Sequence, residues 1–279
     1  MKIPARIIQT GRSRSLSPKA KAAAANLKLL HPGWEHLYFD DGDIRRFVSA
    51  EFPQYQAVFD GFPRTIQRID FFRYLAVFRF GGFYFDLDVF LSESLSRLLD
   101  CGCVFPFEEL TANRFLRSVC NIDWEIGNYA FGAAPGHPFL GAVIENCVRG
   151  QKEPEWVRPI MSGIPGFFRT DFEVLNTTGP GLLTRTLVEC PGFSRDVSVL
   201  FPNDVCDSAN WHLFGDYGAH LMDGSWRKGG SYLNRRLLCW WEARIRKSFL
   251  PESRKRGPKR SWPITEHSDG EVSFKVASA

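Results

Sequence analysis

The chain contains no uninterrupted apolar run of about 18 residues, so no part of it reads as a membrane-spanning helix. Its opening residues, Met1-Lys2-Ile3-Pro4, lead into patterned sequence without the apolar core of a signal peptide, and the expectation is a cytoplasmic protein. Cysteine offers little either. The seven cysteines are odd in number and none has zinc-site spacing; Cys101-Gly102-Cys103 is too tight for a zinc half-site. All seven read as reduced thiols. No internal repeat is evident. The body of the chain also lacks basic patches interleaved with aromatics, which argues against nucleic acid as a partner.

What is present belongs to a folded globular protein. Of 279 residues, 44% are hydrophobic, with 25 Phe and 8 Trp, enough for a substantial core. The net charge of +4 is unevenly spread. Residues 244–260 hold Arg244, Arg246, Lys247, Arg254, Lys255, Arg256, Lys259 and Arg260 against Glu252, a local balance of +7. The remainder is close to neutral. The expectation is one domain over residues 1–243 and a basic, partly disordered tail over 244–279, with the last ~25 residues disordered. A basic stretch fits contact with an anionic membrane surface, at about 1 kcal/mol per cation. It fits a solubilising terminus equally well, and both readings stay open.

The most informative run is Gly81-Gly82-Phe83-Tyr84-Phe85-Asp86-Leu87-Asp88-Val89-Phe90-Leu91. Aromatic and branched residues entered through a Gly-Gly turn predict a strand. Alternation then puts Tyr84, Asp86, Asp88 and Phe90 on one face, with the two carboxylates roughly 6–7 Å apart at ~3.3 Å of rise per residue. Like charges that close on a poorly solvated strand take up a proton or hold a cation between them. A hard divalent ion with oxygen ligands is the natural neutraliser. A bare Asp-x-Asp is also common at solvated strand ends, but here apolar residues continue on both sides of the pair.

Upstream, Ile3–Gln9 reads as a strand, Ser17-Pro18 as the cap of a helix through Lys19–Leu30, and Glu35–Phe39 as a second strand. Strand, helix, strand in this spacing predicts a parallel pair and an α/β fold. Ligands of such sheets gather at the carboxyl ends of the strands, where Gln9-Thr10-Gly11, Asp40-Asp41 and the Asp86/Asp88 pair would converge. The segment from Pro63 to Phe78 is apolar around most of its circumference and predicts a buried helix. On it Asp70 and Arg73 share a stripe, and their spacing lets them pair as a core salt bridge or serve a ligand, Asp70 accepting from hydroxyls and Arg73 donating to an anion. Further on, Asn128–Ala133 reads as a strand before the Pro135-Gly136-His137-Pro138 turn. Thr177–Leu183 reads as a loop feeding a helix, which could cap that helix or cradle an anion. His220 lies with Ser225 and Trp226 in a Gly-rich, polar and aromatic cluster.

In this order the segments resemble the DXD-motif glycosyltransferases of the Och1-type mannosyltransferase, inositol-phosphoceramide sugar transferase and bacterial polysaccharide-locus group. The resemblance rests on Ile3-Pro4 with Ile7-Ile8-Gln9-Thr10, on Arg68-Ile69-Asp70 with Arg73-Tyr74, and on Gly81–Asp88. Asn128 through the Pro-Gly-His-Pro turn, Thr178-Gly179-Pro180, and His220 with Ser225-Trp226 add to it. It implies a GT-A-type, single Rossmann-like domain with a mixed, mostly parallel central sheet flanked by helices. It also implies a retaining transfer from a UDP- or GDP-sugar to a glycan or glycolipid acceptor in cell-surface polysaccharide synthesis, at the inner face of the membrane. By the same resemblance Asp88 and Asp86 bind Mn²⁺ or Mg²⁺ with His220 as a further ligand, and Asp86 also reaches the ribose. Gln9, Thr10, Arg68, Asp70, Arg73, Asn128, Ser225 and Trp226 contact the donor. Two alternatives remain: a toxin-like enzyme that glycosylates a protein, and a nucleotide-sugar-binding module without turnover.

Overall fold

The computed structural model describes residues 1–222, 240–246, 264–266 and 272–275. Ser17 caps the first helix as expected, its hydroxyl accepting from the Ala20 amide with Pro18 in the first turn. This helix, α1 (Pro18–Leu30), connects β1 (Arg6–Thr10) to β2 (Glu35–Phe39), and the two strands pair in parallel with Ile7 opposite His36. The first strand is shorter at its start than the sequence suggests, because Pro4 has no amide to give a ladder. Asp40 then caps α2 (Asp41–Glu51) through a capping box with Asp43. After α3 (Gln56–Gly61), the expected buried helix is α4 (Thr65–Phe80), and residues 70–77 along it are all buried. It stops at Gly81, whose φ of +64° lies in the left-handed region, and Gly82 follows at +106°. A side chain at Gly82 would meet the Arg6 carbonyl at 2.7 Å, so this turn needs its second glycine to bring the next strand against β1.

That strand, β3 (Gly82–Phe85), lies parallel to β1. It ends sooner than the alternation predicts. The Asp86 amide donates to the Tyr129 carbonyl, and the Val89 amide donates back to the Asp86 carbonyl, closing a turn over Asp86-Leu87-Asp88. The chain resumes as β4 (Val89–Leu91), which leaves the main sheet and pairs antiparallel with β9 (Gly218–His220). The Asp-x-Asp run is therefore a turn between two strands of different sheets.

The second half supplies β5 (Cys103–Leu110), α5 (Arg114–Ser118), β6 (Trp124–Ile126), β7 (Ala130–Ala133), α6 (Pro138–Lys152), α7 (Pro154–Val157), α8 (Arg169–Thr177), α9 (Pro180–Glu189) and β8 (Val197–Leu200). The sheet runs β8-β5-β7-β3-β1-β2, with β7 antiparallel to both neighbours and the other five strands pointing one way. This is the mixed, mostly parallel sheet expected. Two strands of the tail, β10 (Ile264–Glu266) and β11 (Val272–Lys275), continue it antiparallel beyond β8, where the sequence predicts disorder. Apolar side chains bury both faces. Ile8, Tyr84, Phe105 and Phe131 pack with α2, α4, α6 and α9 on one side, and Ile7, Phe83, Phe85 and Val104 with α1 and β4 on the other.

Candidate metal centre at the carboxyl edge of the sheet

The site starts from α4, which runs back along the sheet so that its first turns meet the carboxyl end of β3. Asp70 and Arg73, one turn apart, are both buried at 3% exposure. The Arg73 guanidinium lies 3.1 Å from the Asp70 carboxylate and 3.4 Å from that of Asp86, and donates to the Asn128 carbonyl at 2.6 Å. It also sits 4.7 Å above the centre of the Tyr84 ring. Burial works against the Arg73 cation, but Asp86, Tyr84 and Asp70 outweigh it and its pKa is raised.

Asp70 is nearly saturated. Thr178 donates to one of its oxygens at 2.9 Å, and Asn128 donates to the other at 3.2 Å beside Arg73. Three of the roughly four lone-pair positions of a carboxylate are thus engaged. Burial lifts its pKa to about 6, with Arg73, Thr178 and Asn128 pulling the other way. Asp70 therefore works first as a brace for Arg73 and Asn128. Asn128 and Tyr129 reach this point because β7 pairs with β3 up to Ala130 opposite Phe85. A second chain of hydrogen bonds enters from β1, with Thr10 bonded to the Tyr84 hydroxyl at 2.9 Å and Tyr84 donating to Asp86 at 2.7 Å.

Asp86 and Asp88 leave the turn toward His220. The small β4–β9 sheet sets that meeting, pairing Val89 with His220 and Leu91 with Gly218, while the Leu221 amide donates to the Asp88 carbonyl. Gly218 permits the approach, since a Cβ there would meet the Phe90 carbonyl at 2.3 Å. The His220 Nε2 lies 3.3 Å from Asp88, and its ring stacks on Tyr129 with centroids 4.4 Å apart. One ligand atom from each of Asp86, Asp88 and His220 falls within 4.8 Å of the others.

These residues fit a divalent cation. Asp70 and Asp86 share the Arg73 guanidinium, while Asp88 lies against the imidazole of His220, so carboxylate oxygens and a ring nitrogen gather in a poorly solvated place. The Nδ1 of His220 is buried without a hydrogen-bond partner. Two hard oxygens and an imidazole suit Mn²⁺ or Mg²⁺ better than a soft metal.

Of the residues the sequence points to, the structure brings together Asp70, Arg73, Asp86, Asp88, Asn128 and His220, with Thr10 joined through Tyr84. Arg68 is elsewhere: its guanidinium donates to the Phe62 and Asp60 carbonyls. Gln9 precedes Thr10 and so faces the opposite side of the sheet, where its buried amide nitrogen has no partner. Ser225 and Trp226 lie outside the described residues. Thr178, Tyr84 and Tyr129 join these residues in the structure. The alternation already placed Tyr84 with Asp86, while nothing local marks Thr178 as the partner of a residue 108 positions away.

A second charged cluster lies beyond His220, whose ring centroid is 6.4 Å from that of His212. His212 faces Glu108 at 3.2 Å and Glu109 at 4.0 Å, and Arg246 bonds Glu109 and the Leu110 carbonyl. Burial pushes the neighbouring Glu125 up to about 8, with Glu109 adding to the shift. Arg246, counted in the basic tail by sequence, is thus 9% exposed and held by the body.

Residues 18–105 match the model of the glycosyltransferase sugar-binding region containing the DXD motif. Inositol phosphoceramide mannosyltransferase 3 of Schizosaccharomyces pombe is 31% identical over 53% of this chain and 38% of its own length. Inositol phosphoceramide mannosyltransferase 2 of the same yeast is 28% identical over 75% of this chain and 58% of its own. A mannosyl phosphorylinositol ceramide synthase of Saccharomyces cerevisiae is 26% identical over 65% and 41%. The chain thus spans from 38% to 58% of the length of these relatives. Among solved structures, the PaToxG glycosyltransferase superposes with a TM-score of 0.48 at 16% identity, over 68% of this chain and 71% of that one. Residues 18–105, which carry Asp70, Arg73, Asp86 and Asp88, are thus similar to glycosyltransferase sugar-binding regions containing a DXD motif.

Proposed function

We propose that the chain is a divalent-metal-dependent, retaining glycosyltransferase that moves a sugar from a UDP- or GDP-sugar to a glycan or glycolipid acceptor in cell-surface glycan synthesis. The observation that carries this reading is the convergence of Asp86, Asp88 and His220 beside the buried Arg73–Asp70 pair. The printed names of the yeast relatives, inositol phosphoceramide mannosyltransferases, favour a glycolipid acceptor and a mannosyl donor.

Asp86, Asp88 and His220 would hold Mn²⁺ or Mg²⁺, and the ion when bound supplies charge neutralisation for the diphosphate of the donor. The protein's own groups do the positioning. Arg73 is fixed from three directions and keeps its Nε–H unpartnered, so its cation is preorganised at the edge where a phosphate or sugar would lie. Thr178 and Asn128 keep Asp70 ionised and aligned against Arg73. Tyr84, held by Thr10, fixes the rotamer of Asp86. Retention follows from same-face attack, with a departing phosphate oxygen helping to take the acceptor proton. The setting is cytoplasmic, with the basic residues after 246 holding the enzyme at the inner membrane face.

The test is hydrolysis of a panel of UDP- and GDP-sugars with Mn²⁺, Mg²⁺ or chelator, for the native chain and for Asp88→Ala. Turnover by the native chain that needs the ion and drops at least ~10²-fold in Asp88→Ala supports the reading, on the scale of losing one main electrostatic stabiliser. Metal-dependent donor binding with no turnover for any donor or acceptor would make it a binding module. Equal turnover by both chains sinks the metal role.

A further inference from the structure

Asp86 and the other two candidate ligands are carried by different parts of the fold. Asp86 is fixed to the main sheet: its amide donates to the Tyr129 carbonyl at 2.8 Å, and Tyr84 donates to its carboxylate at 2.7 Å. Asp88 and His220 ride on the two-stranded β4–β9 ribbon, where the Leu221 amide donates to the Asp88 carbonyl. A two-stranded ribbon is marginal by itself. Whatever fastens it to the main sheet therefore sets the distance between its ligands and Asp86. At the β9 end, the His212 amide donates to the Glu108 carbonyl at 3.1 Å, and the His212 carbonyl accepts from the His220 amide. The stack of His220 on Tyr129 adds to that end.

The β4 end is fastened from α1. Within the ribbon the Ser92 amide donates to the Tyr217 carbonyl and the Leu221 amide to the Asp88 carbonyl, so Asp88 and Ser92 address β9. Alternation turns the N–H and C=O of Val89 and Leu91 to the opposite edge. Among the described residues no strand pairs with that edge. The Val89 amide closes the turn on the Asp86 carbonyl. Both Leu91 groups go to one side chain. The Leu91 amide donates to the Asn26 Oδ1 at 2.8 Å, and the Asn26 Nδ2 donates to the Leu91 carbonyl at 3.0 Å. Leu91 is buried, so its backbone groups need partners within the protein. A carboxamide offers a donor and an acceptor side by side, as the backbone of a neighbouring strand would. At the end of α1, His31 extends the fastening. Its Nε2 accepts from the Leu95 amide at 2.9 Å, which leaves the Nδ1–H to donate to the Leu27 carbonyl at 2.8 Å.

We propose that Asn26 is a positioning residue for the centre formed by Asp86, Asp88 and His220, its carboxamide standing in for a third strand beside β4. Leu91 lies three residues past Asp88, so holding it from α1 sets where the whole ribbon sits relative to Asp86. Without the carboxamide the ribbon is held mainly at its β9 end and can pivot there, carrying Asp88 and His220 together. The ligand atoms that fall within 4.8 Å of one another would then spread. Asn26 touches none of the three ligands in its printed hydrogen bonds; it acts through Leu91 alone. This role rests on the metal reading of the centre.

The experiment is Mn²⁺ binding to the full chain, followed by the paramagnetic resonance of the free ion, with thermal melts of the same samples. The native chain is compared with Asn26→Leu, Asn26→Asp and a control, Asn146→Leu. Asn146 donates to Thr186 between α6 and α9, so the control loses a helix side-chain hydrogen bond of similar length that serves other elements. Asn26→Leu should bind Mn²⁺ about tenfold or more weakly, the scale of losing a group that orients metal ligands. Asn26→Asp accepts from the Leu91 amide but cannot donate to its carbonyl, and should fall between Asn26→Leu and the native chain. It decides the matter if Asn26→Leu fails to fold. Asn146→Leu should bind as the native chain does, even where its melt is lowered as much. Native affinity in a folded Asn26 variant overturns the proposal. So does an equal loss in Asn146→Leu, which would make the effect one of general destabilisation. If the native chain binds no Mn²⁺, the metal reading fails and the proposal with it. Binding that Asp88→Ala abolishes and Asn26→Leu leaves intact removes the proposal alone.

Discussion

Two clusters of buried charge flank His220, and they resolve the same problem in different ways. Around His212, the carboxylates Glu108, Glu109 and Glu125 are set against Arg246 and a histidine whose pKa is raised; burial works against its charge, but Glu108 and Glu109 outweigh that. Glu125 keeps its proton up to about pH 8, which lessens the charge that Arg246, itself also 3.5 Å from Glu242, has to offset. Around Arg73, the carboxylates of Asp70 and Asp86 share that guanidinium, Asp88 lies against His220, and the other ring nitrogen of His220 is buried without a hydrogen-bond partner. The first arrangement is closed by protons and an arginine from residue 246. The second gathers ligand atoms of Asp86, Asp88 and His220 within 4.8 Å of one another, an arrangement that a dication can bridge. Carboxylate counts alone do not separate the two; the ligand geometry beside His220 does.

The largest effect should come from removing the cations. Arg73→Met leaves Asp70 and Asp86 unpaired in the interior and should cost about 3–5 kcal/mol in a denaturant titration. Arg246→Met strands Glu109 near a more open surface and should cost about 1–3 kcal/mol. Equal costs would break the distinction. Next, Asp88→Ala should lower donor turnover at least ~10²-fold, while Glu109→Gln, in the closed cluster, should leave it nearly unchanged. A comparable fall in Glu109→Gln would mean that both clusters take part in the chemistry.

A third comparison uses pH. Because the folded pKa of Glu125 is raised to about 8 from an ordinary 4.5, the folded state holds the proton more tightly than the unfolded chain. Stability should then fall as pH rises from 4.5 through 8, by about 1–3 kcal/mol after allowing for the partly open edge of Glu125. Glu125→Gln should flatten that slope in melts recorded across the range; a slope unchanged by the substitution removes the protonated glutamic acid from the account. The smallest effect concerns the Asp70 brace. Asp70 ionises near pH 6, so turnover should decline below that pH as its pairing with Arg73 weakens. Thr178→Val removes a donor that favours the carboxylate, and should move this acid limb upward at a stability cost of about 0.5–1.5 kcal/mol. A limb that stays in place would show that another group sets it.

Local pattern carried much of the fold. The capped helix between β1 and β2 and the buried stripe of α4 were legible because capping residues and apolar periodicity act over a few positions. The break of the 81–91 run was not legible. Val89-Phe90-Leu91 has strand character in either sheet, and what removes β4 from the main sheet is pairing with Gly218-Ala219-His220, about 130 residues away. Arg68 misled for a related reason. Helix geometry puts it near Asp70, yet the Phe62 and Asp60 carbonyls at the end of α3 claim its guanidinium.

By itself, then, the sequence determined that aspartates would flank Leu87 at the carboxyl end of a strand, and that Asp70 and Arg73 would share a buried helix face. Both follow from spacing along one element. Only the tertiary structure decided that Asp86 and Asp88 lie in a turn rather than on a strand, that His220 joins them, and that Thr178 and Asn128 brace Asp70. Those contacts close loops of 58 to 108 residues or more, and which chain segment fills each position depends on how the whole sheet pairs.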